Sequence, residues 1–283
     1  MLDPRLLRSF IAIVDAGSFT LAAQRLSMTQ STISQQLARL EEAVGSALID
    51  RAARPIQSTA AGERLLGYAR RILALQQEAE AALGDPAGTG SIRIGVPEDI
   101  VNAALAKVFR DFALHHREFR LDVTAGLSPD LTRRYRAGEF DIVIVKEPAT
   151  SPDCRAHFPE AMAWFESGDA PAEWPNPIPL IAFPPGGLYR EAMFERVEQE
   201  RLRWYIAFSG SSLHSVLVAV EAGLGLSLLP RNAAAGYHVR PYAPFPAELP
   251  IAVSIYAWES TGPASELVER MKEVLAARCE AQG

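Results

Sequence analysis

The sequence predicts an α/β protein headed by a small all-α domain, and three observations carry that prediction. Near the N-terminus, two short helical patterns flank a tight turn, Ser27-Met28-Thr29. From Thr59 to Leu83 a proline-free stretch rich in Ala, Leu, Glu, Gln and Arg reads as one long helix. From Ile92 onward, β-branched runs alternate with helical patterns, the sequence signature of a parallel sheet with helices on both faces. A chain of 283 residues suits two or three domains, and 48% hydrophobic content lets each bury a core.

The first helical pair spans Gly17 to Glu42. Its first helix carries Phe19, Leu21, Ala22, Ala23 and Leu26. In the second, Ile33, Leu37 and Leu40 recur at steps of four and three, which places them on one face. The other face offers Gln30, Ser31, Thr32, Ser34, Gln35 and Arg39, with no acid before Glu41. Those groups suit a helix that enters a DNA major groove. Gln pairs two-pronged with adenine, Arg reaches guanine or phosphate, and short hydroxyls reach base edges or phosphates. Thr29 precedes that helix, and Ser18 and Thr20 stand at the start of the first, where caps and phosphate donors belong. Asp50-Arg-Ala-Ala-Arg-Pro-Ile56 follows, a segment able to form a two-stranded wing that carries Arg51 and Arg54 to the backbone or minor groove. A polar helical face is also what an ordinary solvated helix shows.

Thr59 is a candidate N-cap for the long helix. Along it, Leu65, Ile72 and Ala79 recur every seven residues, and Tyr68, Leu75 and Ala82 fill a second seam. That a/d pattern suits a two-stranded dimer helix, the alternative being a helix packed on its own domain. Gly84-Asp-Pro-Ala-Gly-Thr-Gly90 breaks it as a linker.

At these residues the chain resembles the LysR-type transcriptional regulators. The resemblance is carried by Leu7-Arg8-Ser9-Phe10, Gly17-Ser18-Phe19-Thr20, Ala22-Ala23, Leu26, Thr29-Gln30-Ser31, Ile33-Ser34, Leu40-Glu41-Glu42, Gly45, Leu48, Arg51 and Thr59-Ala-Ala-Gly62. It is dense over the first quarter of the chain and continues more weakly almost to the C-terminus. It implies a winged helix-turn-helix with its recognition helix on Gln30 through Arg39, a linker helix that dimerises the heads, and a sensing module. Three positions depart from the pattern: Ser31 stands where the family usually has Pro, Gln35 where it has Arg, and Ile49 where it has Phe. Gln35 matters most, because glutamine favours adenine where a guanidinium would favour guanine.

Beyond the linker, strands are expected at Ile92–Val96, Arg120–Ala125 and Ile142–Val145, with helices from Asp99 to His115 and from Ser128 to Ala137. A second unit has strands at Pro179–Phe183 and Trp204–Phe208, helices from Leu188 to Glu200 and Leu213 to Ala222, and Leu226-Ser-Leu-Leu229 beyond. A late strand, Ile251 to Trp258, and a last helix, Pro263 to Ala277, return the chain to the first lobe. Two such lobes resemble the type 2 periplasmic-binding-protein fold, the usual effector module of the family. The expected fold is thus α/β, with an N-terminal winged helix-turn-helix domain (1–58), a linker coiled-coil helix and hinge (59–90) and a two-lobed effector domain (91–283). Lobe 1 takes about 91–160 and 260–283, and lobe 2 about 161–259.

In such sheets ligands lie beyond the carboxyl ends of strands. Chain order then nominates Pro97, Glu98 and Asp99; Gly126, Leu127 and Ser128; Phe183 and Pro184; and Ser209, Gly210, Ser211 and Ser212. Hydroxyls and free N–H groups at helix starts suit an anion, although Ser128 and Ser209, each taken alone, read as simple caps before ligand contacts. Glu98 and Asp99 add negative charge, which either caps a helix dipole or favours a neutral or cationic effector.

Other classes fit poorly. The five histidines, at 115, 116, 157, 214 and 238, lack metal-ligand spacing, and no GxSxG elbow is present. Gly223-Leu-Gly225 lacks the third glycine of a dinucleotide loop and follows a helix. Neither an enzyme nor any cofactor or metal is expected. No apolar run reaches membrane-spanning length, and Cys154 and Cys279 stand far apart, so a reducing cytoplasm is the expected home. The net charge is −6, yet Arg25 and Arg39 are the sole charges between Asp15 and Glu41, which leaves a local neutral-to-basic face for DNA. The expected partners are double-stranded operator DNA, a small-molecule effector, further copies of the chain as homodimer or homotetramer and, by resemblance, RNA polymerase. A same-architecture protein whose lobes serve assembly alone is the alternative.

Overall fold

A computed structural model describes residues 2–84, 90–246 and 248–280. The chain forms two compact units: residues 1–91 together with 118–120 and 133–140, and the remainder from residue 92.

In the first unit, α1 (Pro4–Ala16) starts on the Asp3 cap and stops at Gly17, whose φ of 60° is left-handed. α2 (Phe19–Arg25) starts on Ser18, and α3 (Gln30–Val44) runs from Thr29 to a left-handed Gly45. Ile33, Leu37 and Leu40 are wholly buried with Leu7, Phe10 and Ile13 of α1, as their spacing predicts. Burial of each such side chain is worth roughly 2 kcal/mol, enough to fix which face of α3 looks outward. The expected wing forms as β1 (Ile49–Asp50) paired antiparallel with β2 (Gln57–Ser58). The Ile56 N–H donates to the Gly17 carbonyl at 3.1 Å, tying the wing to the α1–α2 corner.

α4 (Ala60–Gly84) follows. Thr59 caps it, accepting from the Gly62 N–H at 3.0 Å and donating to the Ala47 carbonyl at 2.7 Å. The expected dimer seam divides. Leu65 and Ile72 pack partly buried on the N-terminal core, beside buried Leu66 and Ala69. Tyr68 (59% exposed), Leu75 (43%) and Ala79 face outward. The side chain of Ala82 and residues 85–89 of the hinge lie outside the described residues.

From Gly90 onward the chain forms two lobes. Lobe 1 holds β3 (Gly90–Pro97), α5 (Ala103–His115), β4 (Phe119–Gly126), α6 (Ser128–Arg136), β5 (Ile142–Glu147), β6 (Ala156–Glu160), β12 (Ile251–Ala257) and α9 (Gly262–Glu280). Its sheet has the order β4-β3-β5-β12-β6. β3 and β5 are parallel, but β12 runs antiparallel to both β5 and β6, so the sheet is mixed where a parallel one was expected. Ile142 to Val145 of β5 are buried on both faces. The chain re-enters this lobe at Ile251, so the boundary expected at 260 moves to the start of β12. The helix expected from Asp99 starts at Ala103 on an Asn102 cap, and Glu98–Ile100 forms a separate 3-10 turn because Ile100 turns into the core.

Lobe 2 holds β7 (Met162–Ser167), β8 (Ile178–Ala182), α7 (Leu188–Gln199), β9 (Trp204–Ser209), α8 (Leu213–Glu221), β10 (Ser227–Pro230) and β11 (Val239–Pro241). β7 lies between β10 and β11, and β8 pairs parallel with β9. Trp164, Leu180, Ile181, Met193, Val216 and Leu229 are among its core. No helix among the described residues is long and apolar enough to cross a membrane.

Candidate DNA-reading helix and interlobe cleft

The outward face of α3 is built by its caps and its buried face together. The Thr29 hydroxyl accepts from the Thr32 N–H at 3.2 Å and lies 2.8 Å from the hydroxyls of both Ser31 and Thr32. These three polar groups are thereby pre-set at the start of the helix. Gln30, Ser31, Gln35 and Arg39 are exposed, Ser34 is half-buried, and neither Gln35 nor Arg39 has a side-chain partner among the described residues. Ser18 caps α2 by accepting from the Leu21 N–H, and Thr20 is exposed on its first turn. In the wing, Arg51 is paired to Glu41 at 3.0 Å, and Arg54 donates to the carbonyls of Arg51 and Ala53 at 2.8 Å each. Both guanidiniums are therefore anchored at the wing with solvent-facing surface left over, the arrangement a phosphate contact needs. Sequence reasoning missed one residue here. Gln36, between exposed Gln35 and buried Leu37, takes a hydrogen bond from the buried Ser9 hydroxyl and bolts α3 to α1.

In the second unit, two adjoining cavities of about 420 and 440 Å³ lie between the lobes and share Glu98, Asp99 and Leu213. The larger brings together most of the residues nominated by chain order: Pro97, Glu98, Asp99, Gly126, Leu127, Ser128, Phe183 and Ser211. Pro184, Ser209, Gly210 and Ser212 do not line either cavity. Ser209 ends β9 and is no cap, whereas Ser212 caps α8 in a reciprocal box with Ser215. Ser128 is the first residue of α6, and its hydroxyl accepts from the Lys146 N–H at 2.8 Å, joining the end of β5 to the start of α6.

The floor of the cleft is a charged cluster that sequence reasoning missed. Lys146, the last residue but one of β5, has its ammonium paired to Asp99 and to Glu160, the latter at 2.6 Å. Arg278 of α9 reaches the same two acids, at 3.1 Å to Asp99 and 2.6 Å to Glu160. Tyr189 of lobe 2 lines the same cavity as Lys146. Burial alone would strip Lys146 of its proton, but the carboxylates of Asp99 and Glu160, with the Tyr189 oxygen nearby, overcome this and raise its pKa. Burial pushes the Asp99 carboxyl up, and Lys146 and Arg278 more than reverse that. Burial holds the Tyr189 phenol in its protonated form. The strand-end rule that nominated the other residues reaches Lys146 when applied to β5, where Lys146 and Glu147 close a run buried on both faces. No sequence signal ties Arg278 to a site so far upstream.

A model of the LysR substrate binding domain matches residues 87–280, and a model of the bacterial regulatory helix-turn-helix protein of the lysR family matches residues 4–63. The chain belongs to the LysR family of transcriptional regulators. This LysR-type regulator is 30% identical over 233 residues to the transcriptional regulator DgdR of Burkholderia cepacia, a match that covers 82% of this chain and 79% of that protein. It is 29% identical to PecT of Dickeya dadantii over 80% of this chain and 72% of that one. Among solved structures it is similar to full-length LysG of Corynebacterium glutamicum with bound effector Arg, at a TM-score of 0.61 and 21% identity, covering 98% of this chain and 99% of that one. ArgP of Mycobacterium tuberculosis is similar at a TM-score of 0.61 and 23% identity, covering 97% and 98%. The LysR-type regulator thus pairs a DNA-binding helix-turn-helix with an effector-binding domain.

Proposed function

We propose that this LysR-type regulator reads operator bases with Gln30, Ser31, Ser34 and Gln35, holds phosphate or minor groove with Ser18, Thr20, Thr29, Thr32, Arg39, Arg51 and Arg54, and answers to a small molecule in the interlobe cleft. The observation that carries the switch is the cleft itself, because Pro97, Gly126 and Ser128 come from lobe 1 while Phe183, Tyr189 and Leu213 come from lobe 2. A ligand touching both lobes favours one lobe arrangement over the other and so shifts the population of DNA-binding states. The exposed Tyr68, Leu75 and Ala79 of α4 supply a surface for pairing two heads, and two half-sites sum their binding. Assembly as a dimer or tetramer, contact with RNA polymerase and action in the cytoplasm belong to this reading, and it assigns the chain no catalytic step.

The first experiment is footprinting on the DNA just upstream of the protein's own gene. Protection over two or more half-sites is expected, and a Leu213→Trp variant, which fills both cavities, should keep that protection yet lose any change in it caused by small molecules. A variant that still responds sinks the cleft reading. Gln35→Ala should weaken operator binding by roughly 1–3 kcal/mol and relax preference at a single base pair. Unchanged affinity for every substituted operator would remove Gln35 from the reading surface.

A further inference from the structure

We propose that the cleft takes a small amine, a positively charged head on an apolar body, and turns away free carboxylates. This rests on the cleft being the effector site. The cations that border it are Lys146 and Arg278, and each is held by both Asp99 and Glu160. Two positive and two negative groups therefore cancel inside the cluster. To bind an incoming carboxylate, either cation would have to leave two close ion pairs and strand an acid in a buried setting. Glu98 is different. It lines both cavities, is exposed, and has no side-chain partner among the described residues. Counted together with Glu160 behind the wall, the cleft carries a surplus of one negative charge, and Glu98 is the acid left unpaired.

The acceptors left open point the same way. Asn232 Oδ1 is buried without a hydrogen-bond partner and lines the cavity that Glu98 shares. Asn102 Oδ1, on the same lining, is already occupied by the Leu105 N–H. His214 is engaged at Nδ1 with the Tyr237 hydroxyl at 2.7 Å. The remaining side-chain donors, the amides of Asn102 and Asn232 and hydroxyls such as that of Ser211, are neutral. Arg278 Nε also lacks a partner, but its guanidinium charge is balanced, and it borders a separate space of about 10 Å³ beside Phe158 and Cys279 with room for one water. An ammonium N–H fits the open Glu98 carboxylate and Asn232 carbonyl, while Leu127, Phe183, Leu188 and Leu213 offer apolar wall for the body of the ligand.

The test is calorimetric titration of the full-length protein with three probes on one phenyl frame: 2-phenylethylamine, 2-phenylethanol and phenylacetate. The amine should bind roughly tenfold or more tightly than phenylacetate, and Glu98→Lys should reverse that order. Glu98 is exposed and unpaired, so the variant should fold as the parent does. Phenylacetate binding best in the parent, with its lead unmoved by Glu98→Lys, overturns the amine assignment but leaves the cleft standing if Leu213→Trp abolishes that binding. Undiminished binding to Leu213→Trp, or no saturable binding of the amine at millimolar concentrations, overturns the assignment, and the former result also removes the cleft as the site.

Discussion

Lys146→Met is expected to destabilise the effector domain by roughly 3–5 kcal/mol, because it leaves Asp99 and Glu160 with Arg278 as their single cation. For a domain of this size each kcal/mol moves the melting temperature by about 2–4 °C, so a fall of roughly 10 °C should appear in a calorimetric scan. Adding Glu160→Gln to that variant removes the stranded charge and should recover part of the loss. A single variant that melts with the parent would mean that the cluster is not in balance. The pH dependence has a fixed sign. Asp99 is held below its ordinary 3.8, so the stability it contributes is full above about that pH and drains away as the pH falls further. Lys146 and Tyr189 are both raised above their ordinary 10.5 and 10.0, so their contribution is full below those values and is lost as the pH climbs past them. The parent should show a plateau between these limits, and Lys146→Met should flatten its alkaline edge.

Gly62→Ala is expected to cost operator binding while leaving the effector domain's melting unchanged. Gly62 sits in the first turn of α4, where a Cβ would lie inside contact distance of the Leu48 carbonyl oxygen and 3.0 Å from the Ser58 side chain. The obstacle is wing backbone, which does not rotate out of the way. Either α4 or β1 must move, and the bonds from the Thr59 N–H to Leu48 (3.0 Å) and from its hydroxyl to Ala47 are the first to stretch. Overpacking of this kind costs roughly 1–3 kcal/mol and displaces the wing with its Arg51 and Arg54. Operator affinity should fall by about tenfold or more at unchanged protein concentration. Parent-like affinity would show that the wing tolerates displacement or does not touch DNA.

Much of this was legible in the chain, for reasons that differ by element. The helix-turn-helix was readable because Ile33, Leu37 and Leu40 declare one face and Ser18 and Thr29 declare the starts. The seam on α4 was half readable. A seven-residue repeat shows that Leu65 and Ile72 want burial, but it does not say whether another copy or the helix's own domain supplies the partner, and here the core takes them. β6 escaped notice because Pro159 interrupts the pattern of a strand that lies at the sheet edge, where a missing N–H is tolerated. The cleft residues at strand ends were reachable by topology, whereas the pairing of Lys146 with Asp99, Glu160 and Arg278 depends on the distances between elements far apart in sequence.

The re-entry of the chain at β12 bears on how the protein is born. Lobe 2 occupies an unbroken stretch between β6 and β12, two neighbouring strands in which Ile251 stands opposite Glu160. On the ribosome, which releases the chain from its N-terminus, that lobe is therefore complete while lobe 1 still lacks a sheet strand and its last helix. Asp99, Lys146 and Glu160 have by then all been made, with one cation for two acids. The balancing guanidinium of Arg278 arrives only with the final helix, so the nascent regulator acquires its sealed charge cluster at the end of synthesis.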